Sequence, residues 1–318
     1  MYSVNKYKPL ENILCYDDFD KGLHGWMVLV PNIRADRMDY FPEHKKYAEW
    51  GPPMLSSATF GYAGTHGSMN GTYSMKLSSR PIAGPPTEPP VAGSTGHAIK
   101  RLTFLEKEYV KFEMWYAIKA EQDRPWNGEN HIRGFGLVFD IQDEEKRYFC
   151  GARYMNAAGG KMQQRWQYAS AVDVDDASWG DTAPSASDSE DGSENGKKIY
   201  IKPGVDPSWL GKRYADGGSD SFKDVPGGKQ TLCYNESVDK INWHYFSLTV
   251  DMEKREYVEL ASINKRYDLR GCKPTLVDAY PRINQLLNPI LWVEADTDRR
   301  VFLFVDSVLV STGKRAAL

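Results

Sequence analysis

Between residues 109 and 118 the chain alternates strictly. Val110, Phe112, Met114, Tyr116 and Ile118 fall on one side, and Lys111, Glu113, Trp115 and Ala117 on the other. Successive side chains of a strand point to opposite faces, so this period of two describes a strand with one buried and one more open face. Further strand-like stretches follow at 131–141, 147–156 and 163–170, with Asp143-Glu144-Glu145-Lys146 as a polar hairpin turn. Shorter ones stand at 55–60, 72–79 and 197–201. A second block fills the C-terminal part: 243–251 and 255–263 around Met252-Glu253-Lys254, then 289–295 and 300–311 around Asp296-Thr297-Asp298. One short helix is expected at 281–288. No period near 3.6 is sustained and no internal repeat is present. About a dozen strands with few helices imply an all-β, antiparallel two-sheet jelly-roll sandwich.

The chain reads as one domain over residues 1–318, a length that suits a single sandwich with elaborated loops. The excursions fall at 31–53, 81–96, 171–196 and 203–230, where Pro, Gly, Ser and acidic residues accumulate, and a glycine-dense loop spans 61–71. A 41% hydrophobic content is enough for a sizeable core, and the 13% aromatic share serves strands and binding faces alike.

Net charge is −3 with both signs mixed along the chain, which argues against a nucleic-acid footprint. No apolar run reaches the ~18 residues that span a bilayer. Residues 1–14 lack the apolar core of a secretion signal, so no membrane partner and a cytoplasmic location are expected. Cys15, Cys150, Cys233 and Cys272 are scattered without a CxxC pair, which suits buried thiols better than zinc.

Both ends of the chain carry acids at strand positions. The stretch Tyr16-Asp17-Asp18-Phe19-Asp20-Lys21-Gly22-Leu23-His24-Gly25-Trp26 lies near the start, and Phe304-Val305-Asp306-Ser307-Val308 near the finish. On strict alternation Asp306 shares a face with Phe302, Phe304 and Val308, and a carboxylate there needs a partner. The partner is either a calcium ion or a set of backbone N–H and Lys or Arg donors. The two ends are expected to meet and close the sandwich.

These two motifs, with Gly71-Thr72-Tyr73-Ser74-Met75-Lys76-Leu77, resemble concanavalin A-like jelly rolls. That superfamily includes lectins, carbohydrate-binding modules and glucanases; within it the chain looks like a bacterial family without secretion signals. The resemblance implies carbohydrate recognition and a structural Ca2+ shared by Asp20 and Asp306, with Asp18 as the alternative. The E-x-D-x-x-E motif of laminarinase-type enzymes is absent.

Three strands place an aromatic and a polar or acidic residue two apart: Glu113 with Trp115, Trp166 with Tyr168, and Trp292 with Glu294. On one sheet they would form a groove for a sugar, which stacks an apolar face on an aromatic ring and presents hydroxyls to polar groups. The alternative is that these tryptophans fill the core. Glu113 and Glu294, with Asp140 as a third candidate, could serve as paired carboxylates for glycoside hydrolysis. Arg133, Arg153 and Arg165 could bind an acidic sugar or pair with Asp140 and Glu113. His66, in the glycine-rich loop, and His131, at a strand start, are further ligand-binding candidates. Three functions follow from this reading: an intracellular oligosaccharide-binding protein, a glycoside hydrolase or lyase on the same groove, or a structural module that assembles as a homo-oligomer.

Overall fold

The computed structural model describes residues 4–27, 53–57, 67–79, 95–121, 129–170, 222–232, 241–277, 279, 282–296 and 299–314. Strands account for nearly all regular structure among them: β1 (Asn12–Asp17), β2 (Met54–Ser57), β3 (Tyr73–Ser78), β4 (Thr95–Ile99), β5 (Leu102–Thr103), β6 (Tyr109–Ala120), β7 (Ile132–Gln142) and β8 (Arg147–Ala158). Then come β9 (Lys161–Ala169), β10 (Phe222–Lys229), β11 (His244–Asp251), β12 (Glu256–Ser262), β13 (Lys265–Asp268), β14 (Thr275–Val277), β15 (Leu286–Ala295) and β16 (Val301–Gly313). The first sheet runs β13-β12-β11-β6-β16-β3-β2, with β1 also against β16. The second runs β10-β9-β8-β7-β15-β4, with β14 beside β8 and β5 beside β15. Neighbours are antiparallel throughout, so the fold is the expected two-sheet antiparallel sandwich.

Alternation fixes which side chains enter the core. Val110, Phe112, Met114, Tyr116 and Ile118 of β6 face Phe135, Leu137, Phe139 and Ile141 of β7 across one continuous apolar cluster. Tyr148, Cys150, Ala152, Tyr154 and Trp166 extend that cluster along the second sheet. The ring of Trp166 stacks on Phe246 of the first sheet at 5.2 Å between centroids, so it joins the two layers from inside.

Several expected elements differ. The helix expected at 281–288 is a turn at Arg282 followed by the start of β15, because Leu286 and Leu287 pair with Thr103 and Leu102 and with β7. The excursion at 203–230 contains β10, which pairs with β9 from Phe222 onward. Strands β4, β5, β13 and β14 are short and lack a long enough alternation to stand out. The excursion at 171–196, the stretch at 197–201, and most of 31–53 and 81–96 lie outside the described residues.

The chain ends meet as expected: β1 pairs with β16 from Asn12 opposite Thr312 to Asp17 opposite Val308. Strict alternation breaks at Asp306, however. The register against β6 shifts between Val305 and Ser307, so Val308 and Val310 return to the core while Asp306 sits on a bulge. Asp306 therefore does not share a face with Val308. Its Oδ1 accepts the amides of Met69 (2.7 Å) and Asn70 (3.2 Å), and its Oδ2 accepts Lys6 Nζ (2.5 Å) and Ser307 Oγ (2.8 Å). Asp17 does similar work nearby: its Oδ2 accepts Trp26 Nε1 and Lys100 Nζ, both at 2.8 Å.

Two turns tie the sheets together at one end. Arg255, between β11 and β12, donates through Nε to Asp143 Oδ2 at 2.8 Å in the β7–β8 turn. Burial pushes the Asp143 carboxyl up, but Arg255 and the amides of Lys146 and Glu145 outweigh it and hold it below its ordinary value.

Asp306→Ala is expected to destabilise the fold by about 3 kcal/mol, measured by urea denaturation, because it strands Lys6 and two amides beside an apolar strand. Asp143 has a folded pKa below its unfolded one. Its contribution is thus fully present above the ordinary carboxylate range and is lost as pH falls through that range toward the folded value. Denaturation curves of Asp143→Asn should accordingly lose less stability on acidification than those of the wild type.

Candidate ligand-binding face

The outer face of the second sheet carries an ordered set of polar and aromatic side chains. Reading across the strands by register, one row is His97, Trp292, Gly136, Arg153, Gln167 and Asp224. A neighbouring row holds Glu294, Gly134, Met155 and Arg165. On the other side lie Ile99, Ile290, Val138 and Gly151, and then Asn288, Asp140, Phe149 and Thr275.

Glycines set the floor. A Cβ on Gly136 would overlap the six-membered end of the Trp292 indole, so only glycine lets that ring lie against the sheet. Trp292 packs with Val138, Ala169 and Phe222, with Phe149 at the margin. Phe222 and Trp292 centroids are 6.4 Å apart. Arg153 lies with its guanidinium carbon 4.4 Å from the Phe222 centroid, and its Nε donates to Gln167 Oε1 at 2.7 Å.

At one end of the face a bulge between Glu294 and Ala295 leaves Arg133 outside the regular pairing. Arg133 Nε stands 3.7 Å from Glu294 Oε1, and Nη1 stands 3.8 Å from Asp296 Oδ1. Both distances exceed a hydrogen bond. Asp296 instead accepts the amides of Gly159 (3.1 Å) and Gly160 (2.7 Å).

Among the described residues, buried polar atoms without a hydrogen-bond partner include Arg133 Nε, Asn288 Oδ1, Arg165 Nε and Thr275 Oγ1 on this face, and Glu113 Oε2, Trp115 Nε1 and Thr249 Oγ1 on the outer face of the first sheet. Each such atom costs about 1–3 kcal/mol if nothing meets it. The face opens to solvent toward β9 and β10, where the Arg165 and Asp224 side chains are 37% and 49% exposed. It closes toward β15, where Trp292 and Glu294 are buried.

The three expected aromatic pairs do not share a groove. Trp292 and Glu294 lie on this face, as do Arg153 and, beside Glu294, Arg133. Trp166 is in the core, its Nε1 donating to Gln230 Oε1 at 2.9 Å, and Tyr168 packs edge-on against Tyr257. Burial pushes the Tyr168 hydroxyl up to about 12, with Cys272 adding to the shift. Glu113 and Trp115 face outward from the first sheet, so Glu113 and Glu294 are not a pair across one groove. There, Glu113 Oε1 accepts the amide of Lys8 (2.8 Å) and the hydroxyl of Tyr245 (2.5 Å). Asp140 is on the outer face of the second sheet but is held bidentately by Arg147, with Nε and Nη2 both at 2.7 Å. His131 ends a 3-10 turn, its carbonyl accepting Asp296 N at 2.8 Å. His66 lies outside the described residues. His97, Asn288 and Phe222 were not expected, since they stand in or beside segments that read as loop or helix.

The remaining acids line a separate cavity of about 190 Å³, with Asp18, Asp20, Asp306, Lys6, Tyr16, Asn70 and Gly71 around it. Burial, followed by the charges of Asp18, Asp306 and Asp20, pushes the Tyr16 hydroxyl up to about 12. Asp20 Oδ1 accepts the amides of Thr72 (2.7 Å) and Tyr73 (3.0 Å). With Lys6 bound to Asp306, this donor set does not offer the open shell of oxygens that calcium takes. An ion shared by Asp20 and Asp306, or by Asp18, would require the ammonium to leave. No group of at least three His, Cys, Asp or Glu side chains suited to a metal is found among the described residues. No helix there is long and apolar enough to cross a membrane.

A family model described as a domain of unknown function, DUF6772, matches residues 2–314. No curated protein matches the chain. Among solved structures the chain is similar to the cellulose induced protein Cip1, at 12% identity and TM-score 0.37, covering 95% of this chain and 100% of that one. It is also similar to peanut lectin with a 9mer peptide, at 9% identity and TM-score 0.39, covering 82% and 97%. The Emp47p carbohydrate recognition domain gives 10% identity and TM-score 0.37, covering 96% and 100%. The sandwich itself stands on the strand registers given above.

Gly136→Ala should displace the Trp292 ring. The expected result is a loss of about 1–3 kcal/mol in urea denaturation together with a changed tryptophan emission spectrum. An unchanged spectrum and unchanged stability would mean the ring is not seated on this glycine.

Proposed function

We propose that this chain, which belongs to the DUF6772 family of domains of unknown function, is a carbohydrate-binding jelly-roll sandwich whose saccharide lies on the outer face of the second sheet. The observation that carries the reading is the juxtaposition on one face of an aromatic floor with buried polar atoms that lack partners. Phe149, half-buried at the margin of the buried Trp292 and Phe222, gives this floor its accessible apolar area, and Arg133, Asn288 and Thr275 offer hydrogen-bonding atoms around it. A sugar ring has this mixture on its own surface, with C–H faces for the rings and hydroxyls for the polar atoms.

Binding is favoured over glycoside hydrolysis by the same geometry. Hydrolysis by the usual route needs two carboxylates flanking the scissile bond. Among the described residues Asp140 is committed to Arg147, Asp224 to Arg165 and Gln167, and Glu113 lies on the other sheet. Asp296, which shares Arg133 with Glu294, is committed to the amides of Gly159 and Gly160.

Thermal-shift measurements with a panel of oligosaccharides test the reading. At least one should raise Tm by several degrees at saturation. Trp292→Phe should weaken that ligand about tenfold, while Glu113→Gln leaves its affinity unchanged. A panel in which no oligosaccharide moves Tm would remove the proposal, and so would a ligand lost with Glu113→Gln but retained with Trp292→Phe.

A further inference from the structure

We infer that the saccharide is uncharged at its inner end, and that one of its hydroxyls bridges Arg133 and Glu294. This rests on the binding face proposed above and adds the chemical class of the ligand. Arg133 is the starting point. It is thrown out of the β7–β15 pairing by a bulge, its side chain is only 8% exposed, and its Nε has no hydrogen-bond partner. That same Nε points across a gap of 3.7 Å to Glu294 Oε1. The separation is too long for a direct hydrogen bond. It does suit an oxygen standing beside both atoms at about 2.8 Å from each. Such an oxygen must accept from a guanidinium N–H and donate to a carboxylate. A hydroxyl does both at once, whereas an ether or a carboxylate oxygen can only accept.

Charge decides between a neutral sugar and a uronate. Arg133 already stands between two carboxylates, Glu294 at 3.7 Å and Asp296 at 3.8 Å. A ligand carboxylate at this point would be a third negative charge around one guanidinium, in a site largely removed from water. Like charges brought together under those conditions oppose binding. Of the other arginines on this face, Arg153 lies over Phe222 and donates to Gln167, and Arg165 is taken by Asp224.

The test compares two sets of probes on the intact chain by isothermal titration calorimetry. The neutral set is cello-, xylo-, manno- and galacto-oligosaccharides, and the charged set is oligogalacturonate and oligoglucuronate. The expected result is binding of a neutral probe at least tenfold tighter than any uronate probe. Glu294→Gln keeps the side-chain shape and removes one charge. It should narrow that preference at least threefold by admitting uronate, with circular dichroism and Tm confirming the fold. Arg133→Lys, which keeps the charge but loses Nε, should weaken the neutral probe at least fivefold. Tighter binding of uronate by the wild type overturns the inference while leaving carbohydrate binding intact. A preference that Glu294→Gln does not move also overturns it. Failure of both probe sets removes the inference together with the binding reading on which it rests.

Discussion

A carboxylate set into an apolar last strand must be met by donors, and the way Asp306 is met determines how this sandwich closes. The bulge at Asp306 turns its side chain out of the β6 pairing, and three separate parts of the chain converge on it. Lys6 arrives from the N-terminal arm, the amides of Met69 and Asn70 from the loop before β3, and Ser307 from the adjacent position. Past the bulge the alternation resumes in the opposite phase, so Val308 and Val310 enter the core and β1 can pair alongside. One irregular residue thus lets the first strand, the last strand and the β3 loop share an anchor. A carboxylate in that setting is tolerated only because every part of the anchor is present.

The same anchor distinguishes the two outer faces. From Lys6 the N-terminal arm continues across the first sheet: Tyr7 bonds Ser307 at 2.5 Å, Lys8 N donates to Glu113, and Leu10 N donates to Ser311 Oγ at 2.9 Å. Glu113 therefore holds the arm down, with Tyr245 and Lys111 beside it. The second sheet has a different character. Its outer face is floored by glycines on β7 and β8, which leave room for an indole; Arg147 and Arg165 hold Asp140 and Asp224, Arg153 lies over Phe222, and Arg133 stands just beyond hydrogen-bond reach of Glu294. Bulges recur where function is suggested, at Asp306 for closure and at Arg133 for the ligand face. In each case the extra residue aims a charged side chain that regular alternation would have sent elsewhere.

Much of the fold was legible in the sequence, and the reason is physical. The long strands β6, β7, β8, β11 and β16 are each buried on one face at least, and a period of two is the direct trace of that burial. The meeting of the two ends could be read from acids at strand positions. What escaped were elements too short to show a period, such as β4, β5 and β14, and β10, whose Pro226-Gly227-Gly228 looks like loop. The face proposed for ligand was half legible. Trp292, Glu294, Arg133 and Arg153, which lie on or beside it, stood out because charged or aromatic residues in a buried strand require an explanation. Glu113, Trp115 and Trp166 were grouped with them because alternation gives a face within one strand but not which sheet, or which side of it, that face belongs to. Only pairing partners carry that information: β6 lies between β11 and β16, and β15 between β7 and β4.

The central claim is that ligand meets the outer face of the second sheet and not that of the first. Indole ¹⁵N–¹H spectra report on both at once, since Trp292 stands on one face and Trp115 on the other, with assignments from single Trp→Phe variants. On titration with a bound neutral oligosaccharide, the account predicts a saturating shift of the Trp292 resonance and a stationary Trp115 resonance. A shift of Trp115 with Trp292 unmoved would contradict it.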